Sequence, residues 1–335
     1  MTLVIPVFIP HQGCPCHCLF CNQLSISGKG EQEADGVTQV RQTIAEWLGY
    51  SRCHSEVQVA FYGGSFTCLP PARQEELLGA VQPFLRTGEV ASIRLSTRPD
   101  CVDEKACEFL LENGVRTVEL GVQSLDDRVL LASQRGHSSE DSVRAARILK
   151  ELGMELGIQL MPGLPGETSI SFLGTLRQVV ELGPAFVRLY PTLVINGSGL
   201  AEQYRRGVYR PMTMNRAIAL CRRAKEMLDQ AGITIIRMGL QASTSLEKEL
   251  LAGPYHPSFG ELVAARHWFR RVRRLLASCP PESRFRLHIS DRDLSAFVGP
   301  KRINMKRLQE LGLEGRMEVK TDKTMQRGTM KYVIA

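Results

Sequence analysis

"HQGCPCHCLFCNQ" (residues 11–23) packs four thiols into eight residues, directly behind the apolar run "VIPVFIP". A disulfide staple, a structural zinc site, a redox pair and the grip on a cluster all use such a loop. Cys14, Cys18 and Cys21 follow C-x3-C-x2-C, and Cys16 lies outside that spacing. Soft thiolates select zinc or iron–sulfur clusters. A structural zinc wants four closed ligands, and His11, His17 or Cys16 could supply the fourth. Three thiols facing an iron–sulfur cubane instead leave one iron without a protein ligand, open to a small molecule through N and O atoms. The spacing alone favours the cluster only in part, so the decision falls to where the loop sits in the fold.

Working outward, short β-rich runs at residues 4–9, 57–62, 92–97, 117–121, 155–160 and 186–191 alternate with segments of helical periodicity at 38–48, 71–85, 103–113, 138–152 and 169–182. Asp103 and Ser138 suit N-caps, and Gly114, Gly153 and Gly183 suit helix ends. Six strand–helix units without hairpin signals predict parallel strands joined by crossover helices. Such units build a doubly wound sheet or an open barrel, with the site on loops at the C-terminal ends of the strands. The cysteine loop follows the first strand. Past a helix at 214–231 and a strand at 234–238, the Gly/Pro-rich "LAGPYHPSFG" leads into a basic helix. The remainder reads strand 284–289, helix 301–311, strand 316–320, strand 328–334. The expected division is a core of residues 1–250 and a small basic α+β extension of 251–335.

A chain of 335 residues that is 43% hydrophobic and 23% charged is not of disordered composition. No run approaches the ~18 apolar residues of a membrane-spanning helix. The opening run, with two prolines and no basic flank, reads as a strand rather than a leader, and the expected location is cytoplasmic. Cys53, Cys68, Cys101, Cys107, Cys221 and Cys279 are scattered, and in that compartment they are expected as buried or partly buried small hydrophobes rather than a disulfide framework. From residue 261 onward 17 Lys/Arg face 8 Asp/Glu, a net of +9, against −2 for the preceding 260 residues. A neutral body with a basic tail suits an anionic partner, although a solvated charged face explains it as well.

The C-x3-C-x2-C loop after a first strand resembles the radical S-adenosylmethionine (radical SAM) superfamily. The resemblance implies a partial (β/α)6 barrel and a [4Fe-4S] cluster on Cys14, Cys18 and Cys21, with SAM on the fourth iron. It also implies a 5′-deoxyadenosyl radical that abstracts hydrogen, and a reducing partner such as ferredoxin or flavodoxin. In "FYGGSFT", Gly63 and Gly64 match the family's Gly-Gly motif for the SAM amine, with Ser65 where Glu is common. Phe20 matches an aromatic site whose backbone meets adenine, and core packing explains it equally. Ser96 and Arg98 in "STRPD" stand near the ribose or carboxylate of SAM by this resemblance. Glu119 and Gln123 in "ELGVQS" put polar groups on an apolar strand, where a ligand would supply partners. Gln159 precedes the Gly-rich "LMPGLPGET". His137 in "RGH" is more simply structural. His11, Gln12 and Asn22 are expected around the cluster.

Several motifs in order narrow the resemblance. "ELGVQS", "RGH", "MPGLPGET", "RLYPTLVINGSGL" and "GPYHPSFGELV" look like the radical SAM half of the elongator catalytic subunits, which modify the tRNA wobble uridine, over roughly residues 1–265. Oxygen-independent coproporphyrinogen oxidases are similar less specifically. The cysteines are more tightly spaced than in the elongator subunits, and no acetyl-CoA signature follows, so acetyl transfer is not carried over. With tRNA implied, Arg266, Arg270, Arg271, Arg273 and Arg274 on the basic helix, and Lys301 and Arg302 before the next, become candidate phosphate contacts. Two alternatives stay open: a radical SAM enzyme on a small metabolite or porphyrin-like molecule, and a zinc-stabilised binding protein.

Overall fold

The structure, a computed structural model, describes residues 2–9, 13–22, 36–50 and 55–334. Calls on His11, Gln12 and Cys53 lie outside these. The strands are β1 (Thr2–Phe8), β2 (Glu56–Tyr62), β3 (Ser92–Thr97), β4 (Val115–Gln123), β5 (Glu155–Leu160), β6 (Phe186–Leu189), the short β7 (Val194–Ile195) and β8 (Thr234–Met238). All except β7 join one sheet in the order β1-β2-β3-β4-β5-β6-β8, each neighbour parallel. The sheet curls into a half-barrel. The sequence pattern predicts six strand–helix units, and the structure adds β8 as a seventh parallel strand beside β6.

Helices cover the outer face because their apolar stripes match it. Leu77, Leu78 and Val81 are buried on the helix Pro71–Arg86, and Phe172, Leu176 and Val179 on Ser169–Leu182. Truncating Phe172, which has no exposed surface, to alanine would cost ~3–5 kcal/mol. The expected caps form. Asp103 accepts from Ala106 N, and Ser138 makes a capping box with Asp141 before Ser139–Glu151. Gly183 ends Ser169–Leu182 in the left-handed conformation.

The chain divides into two compact units, Met1–Thr213 with Met227–Tyr255, and Met214–Glu226 with His256–Ala335. The first also holds β9 (Leu250–Ala252), antiparallel to β7. In the second, β10 (Phe285–Ser290) lies between β11 (Met317–Asp322), parallel to it, and β12 (Met330–Ile334), antiparallel. Trp268, Val272 and Leu276 of the helix Phe259–Ala277 pack with Phe285, Leu287, Ile289, Phe297 and Leu308. The Asn304 amide, buried, donates to Ala265 O, Ala296 O and Phe297 O, tying that helix to its neighbours. The second unit carries 21 Lys/Arg against 9 Asp/Glu, a net of +12, and the first carries −5. Among the described residues no helix is long and apolar enough to cross a membrane.

Candidate functional site

The cysteine loop leaves the C-terminal end of β1, where Ile9 N donates to Tyr62 O at the end of β2. Cys21 N closes a turn on Cys18 O at 3.0 Å, and Leu19 N donates to Ser133 O at 3.1 Å. Gly13 is needed at its place. Its φ is +75°, and a Cβ there would lie 2.3 Å from Ser65 O. Cys14 Sγ and Ser65 Oγ are 3.4 Å apart, so the Ser65 hydroxyl faces the loop. Gly63, at φ +87°, and Gly64 bring the backbone after β2 to the same edge. Asn22 anchors the far end by donating to Asn196 O at 2.6 Å.

Arg135 is the residue that the sequence reading passed over inside "RGH". It is 7% exposed, donates from Nη2 to Gly121 O at 2.6 Å, and holds Nη1 3.4 Å from Cys18 Sγ. Its Nε is buried without a partner. Gly121 leaves it room, since a Cβ there would stand 2.9 Å from Arg135 Nη2. Both terminal nitrogens of the guanidinium are thus engaged, and Nε alone is left as an unanswered donor, which a carboxylate would suit. The sequence signal was the small residue in "ELGVQS" together with the buried arginine of "RGH".

Arg98 is held elsewhere. It is 1% exposed, and Nε and Nη2 grip Asp100 at 2.9 Å each while Nη2 also donates to Arg135 O at 2.8 Å. Burial opposes its charge, and the Asp100 bonds outweigh that, raising its pKa. This arginine braces the loops, with only Nη1 buried and unpartnered. Cys16 lies in the same place: a Cβ on Gly136 would come within 2.4 Å of Cys16 Sγ and 3.2 Å of Arg98 Nη2. His137 Nδ1 lies 3.1 Å from Ser138 O, a carbonyl to which it can only donate, and its Nε2 has no partner. Burial, then the charge of Arg135, pushes its pKa down to about 4, so the ring is neutral at pH 7.

Glu119 lies deeper in the half-barrel and is already engaged. Arg188 donates to both carboxylate oxygens, Tyr62 Oη donates to Oε1 at 3.1 Å, and Arg94 Nη1 is 3.7 Å from Oε1. Burial, then Glu119, pushes the Tyr62 phenol up to about 12. Ser96 is in register with Glu119 on the neighbouring strand. Gln123 ends β4 at φ +68°, uncommon for a residue with a side chain, and accepts from Gln159 Nε2 at 3.2 Å. Phe20 packs on Val194, Leu200, Ala201 and Tyr209. Glu167, also missed, accepts from Gly163 N at 2.6 Å and keeps Oε1 buried without a partner.

Cys68 and Cys101 correct the expectation for the scattered cysteines: they form a disulfide. Each ends a 3-10 turn, Phe66–Cys68 after β2 and Pro99–Cys101 after β3, and those strands are neighbours, so the turns meet. Cys107 and Cys221 are fully buried, as expected, and burial pushes the Cys107 thiol up to about 11. Cys279 is half-buried.

Three thiols, an arginine on one of them and several orphaned buried polar atoms fit an anion-bearing iron–sulfur group in donor chemistry. Among the described residues, no three His, Cys, Asp or Glu side chains are gathered as they lie to hold a single metal ion.

In the second unit, Arg270, Arg273, Arg274, Lys301 and Arg302 are exposed, and Arg266 and Arg271 are half-buried. Lys301 and Arg302 have left-handed backbone, with φ +51° and +58°, in the turn before Ile303–Glu310. Arg271 lies over the Trp268 ring at 4.9 Å and donates to Gly328 O. Burial, then the guanidiniums of Arg307, Arg270 and Arg222, lowers the Arg266 pKa, so like charges crowd on this face.

Residues 8–179 match the Radical SAM superfamily, and residues 184–270 match the radical SAM C-terminal domain. The chain is 35% identical over 162 residues to the tRNA uridine(34) acetyltransferase of Methanocaldococcus infernus, spanning 47% of this chain and 30% of that protein. The archaeal Elp3 structure from M. infernus, lacking its residues 1–46, superposes with a TM-score of 0.64 at 23% identity, over 82% of this chain and 63% of that one. Coproporphyrinogen III oxidase (HemN) from Escherichia coli superposes with a TM-score of 0.51 at 19% identity, over 80% of this chain and 58% of that one. The two superpositions show the shared fold.

Proposed function

The chain belongs to the radical SAM superfamily, and from that premise we propose that it modifies RNA, with tRNA as the substrate class, starting by hydrogen abstraction. The observation that carries the site is the C-x3-C-x2-C loop at the strand ends with Arg135 on Cys18 Sγ. The tRNA class is supported by the likeness to a tRNA uridine(34) acetyltransferase and by the +12 charge of the second unit.

Cys14, Cys18 and Cys21 would hold a [4Fe-4S] cluster. With SAM and one electron from a ferredoxin or flavodoxin, that group supplies the cleavage that gives methionine and a 5′-deoxyadenosyl radical. The chain's own part is positioning. Arg135 holds its guanidinium beside Cys18 Sγ and leaves its unpartnered Nε to the SAM carboxylate. Gly63 and Gly64 leave the backbone after β2 open to the SAM amine, with Ser65 held at Cys14. Gln123 and Gln159, joined to one another, stand with Ser96 as polar partners for the ribose. Arg98 braces the loops, and Glu119 holds the half-barrel interior through Arg188. Arg266, Arg270, Arg271, Arg273, Arg274, Lys301 and Arg302 form the RNA-contacting set.

The test is anaerobic reconstitution followed by a 5′-deoxyadenosine assay with tRNA against a small-metabolite extract. Release stimulated by tRNA is the expected result. Stimulation by the extract alone would move the substrate to a metabolite. A colourless protein with one zinc, in place of a brown one with about four irons, would sink the radical reading.

A further inference from the structure

The cysteine loop is gripped between two walls. On one side, the turn after β2 meets it at Gly13, where no Cβ fits beside Ser65 O, and at Cys14, whose Sγ is 3.4 Å from Ser65 Oγ. That wall is tied to the helix Pro71–Arg86 by Gln74 Nε2, which donates to Leu69 O at 2.8 Å. On the other side, the turn after β3 carries Arg98. Its Nη2 donates to Arg135 O, and Gly136 packs against Cys16 beside it.

The two walls are joined to each other. Thr67 Oγ1 and Thr97 Oγ1 lie 2.6 Å apart, and Thr67 N donates to Thr97 Oγ1 at 3.3 Å. The third link is covalent, Cys68 to Cys101, at a sequence separation of 33 and with 5.4 Å between Cα atoms. Both cysteines are partly exposed, so a reductant in solution can reach them.

We infer that Cys68–Cys101 is a thiol–disulfide clasp that sets how firmly the cysteine loop, and with it the SAM site, is held. Its functional half rests on the reading of that loop as the cluster and SAM site. A dithiol reductant supplies two electrons and two protons. The Sγ–Sγ bond breaks, two thiols remain, and the reductant leaves as its own disulfide. Among the described residues the two turns then keep the threonine hydrogen bonds, beyond the pairing of β2 with β3 beneath them, and the loop between them loosens. A preorganised loop binds more tightly because less ordering is left to the ligand.

The test has two arms on the whole chain. In the first, cluster-free protein is alkylated in denaturant without reduction, so that the buried Cys107 and Cys221 also react, and amide exchange of the folded chain is followed over residues 13–22 with and without a dithiol. The expected result is two thiols protected from alkylation and slower exchange in the oxidised chain. The variant Cys68→Ala/Cys101→Ala should exchange like the reduced chain and ignore the dithiol. Full alkylation, or equal exchange in both redox states, overturns the clasp; the wild-type comparison stands even if the variant does not fold. In the second arm, SAM affinity of the anaerobically reconstituted protein is measured in both states, with a roughly threefold to tenfold loss expected on reduction. Unchanged affinity overturns the functional half. Absence of SAM binding in either state refutes the site reading instead, while the exchange arm still decides the clasp.

Discussion

Arg135 Nη1 stands 3.4 Å from Cys18 Sγ, and the same guanidinium donates to Gly121 O from Nη2. One buried side chain thus joins the cysteine loop to the end of β4, the two places where a cluster and its SAM would meet. Replacing it with glutamine removes the guanidinium that touches Cys18 Sγ and the donor to Gly121 O. A lost buried hydrogen-bond partner costs ~1–3 kcal/mol. Arg135→Gln is therefore expected to weaken SAM binding to the reconstituted protein by about tenfold or more. Calorimetric titration with SAM reads it, and wild-type affinity would show that the carboxylate lies elsewhere.

Glu119 gives a prediction of the opposite kind. Its carboxylate is occupied by Arg188, Tyr62 and Arg94, so its first role is to hold the half-barrel interior. Removing one member of a buried ion pair costs ~3–5 kcal/mol, because the other charge is stranded. Glu119→Ala should lose that much in urea unfolding, and Glu119→Leu with Arg188→Met should recover much of it. A single variant of wild-type stability that fails to bind SAM would return Glu119 to the ligand.

Much of the frame was legible in the sequence because local physics writes it there. The caps at Asp103 and Ser138, the Gly183 stop and the apolar runs of β3 and β5 each announce themselves within a few residues. The C-x3-C-x2-C spacing is equally local. The missed features are all products of folding. Cys68 and Cys101 meet only because β2 and β3 are neighbours. Arg135 matters because Gly121, on another element, leaves it space. That Arg98 bonds Asp100, two residues on, is likewise visible only in the folded turn. β8 read as a strand, and only its pairing with β6 made it the seventh of the sheet.

Stability should depend on pH through two buried groups of opposite sign. Burial pushes Glu167 from 4.5 up to about 8; the Gly163 N–H opposes the rise and Asp126 adds to it. The native state therefore holds a proton that the unfolded chain has released. Stability then falls as pH rises from about 4.5 to about 8. His137 is pushed from 6.5 down to about 4, so the unfolded chain binds the extra proton, and stability rises over that window. The two slopes oppose each other below pH 6.5, and the Glu167 slope stands alone above it. Glu167→Gln should flatten the fall in denaturation midpoint between pH 6.5 and 8. A wild-type profile already flat there would count against a protonated Glu167.

The basic face of the second unit predicts how RNA affinity responds to salt. Arg270, Arg273 and Arg274 are exposed on the helix Phe259–Ala277, and Arg270 is among the guanidiniums that crowd Arg266. Cations without carboxylate partners release counterions when phosphate replaces them, so each contact adds about 0.7–0.9 to the slope of log affinity against log salt. Neutralising all three to glutamine should weaken tRNA binding and flatten that slope by about 2 or more. Arg286 is the control: it is exposed on β10, of the same charge, but paired with Glu318 at 2.9 Å. Arg286→Gln should leave the slope where it was, because its charge is already answered. Filter binding from low to moderate salt measures both variants. Equal effects of the triple and the control would mean that RNA responds to diffuse charge, not to this helix.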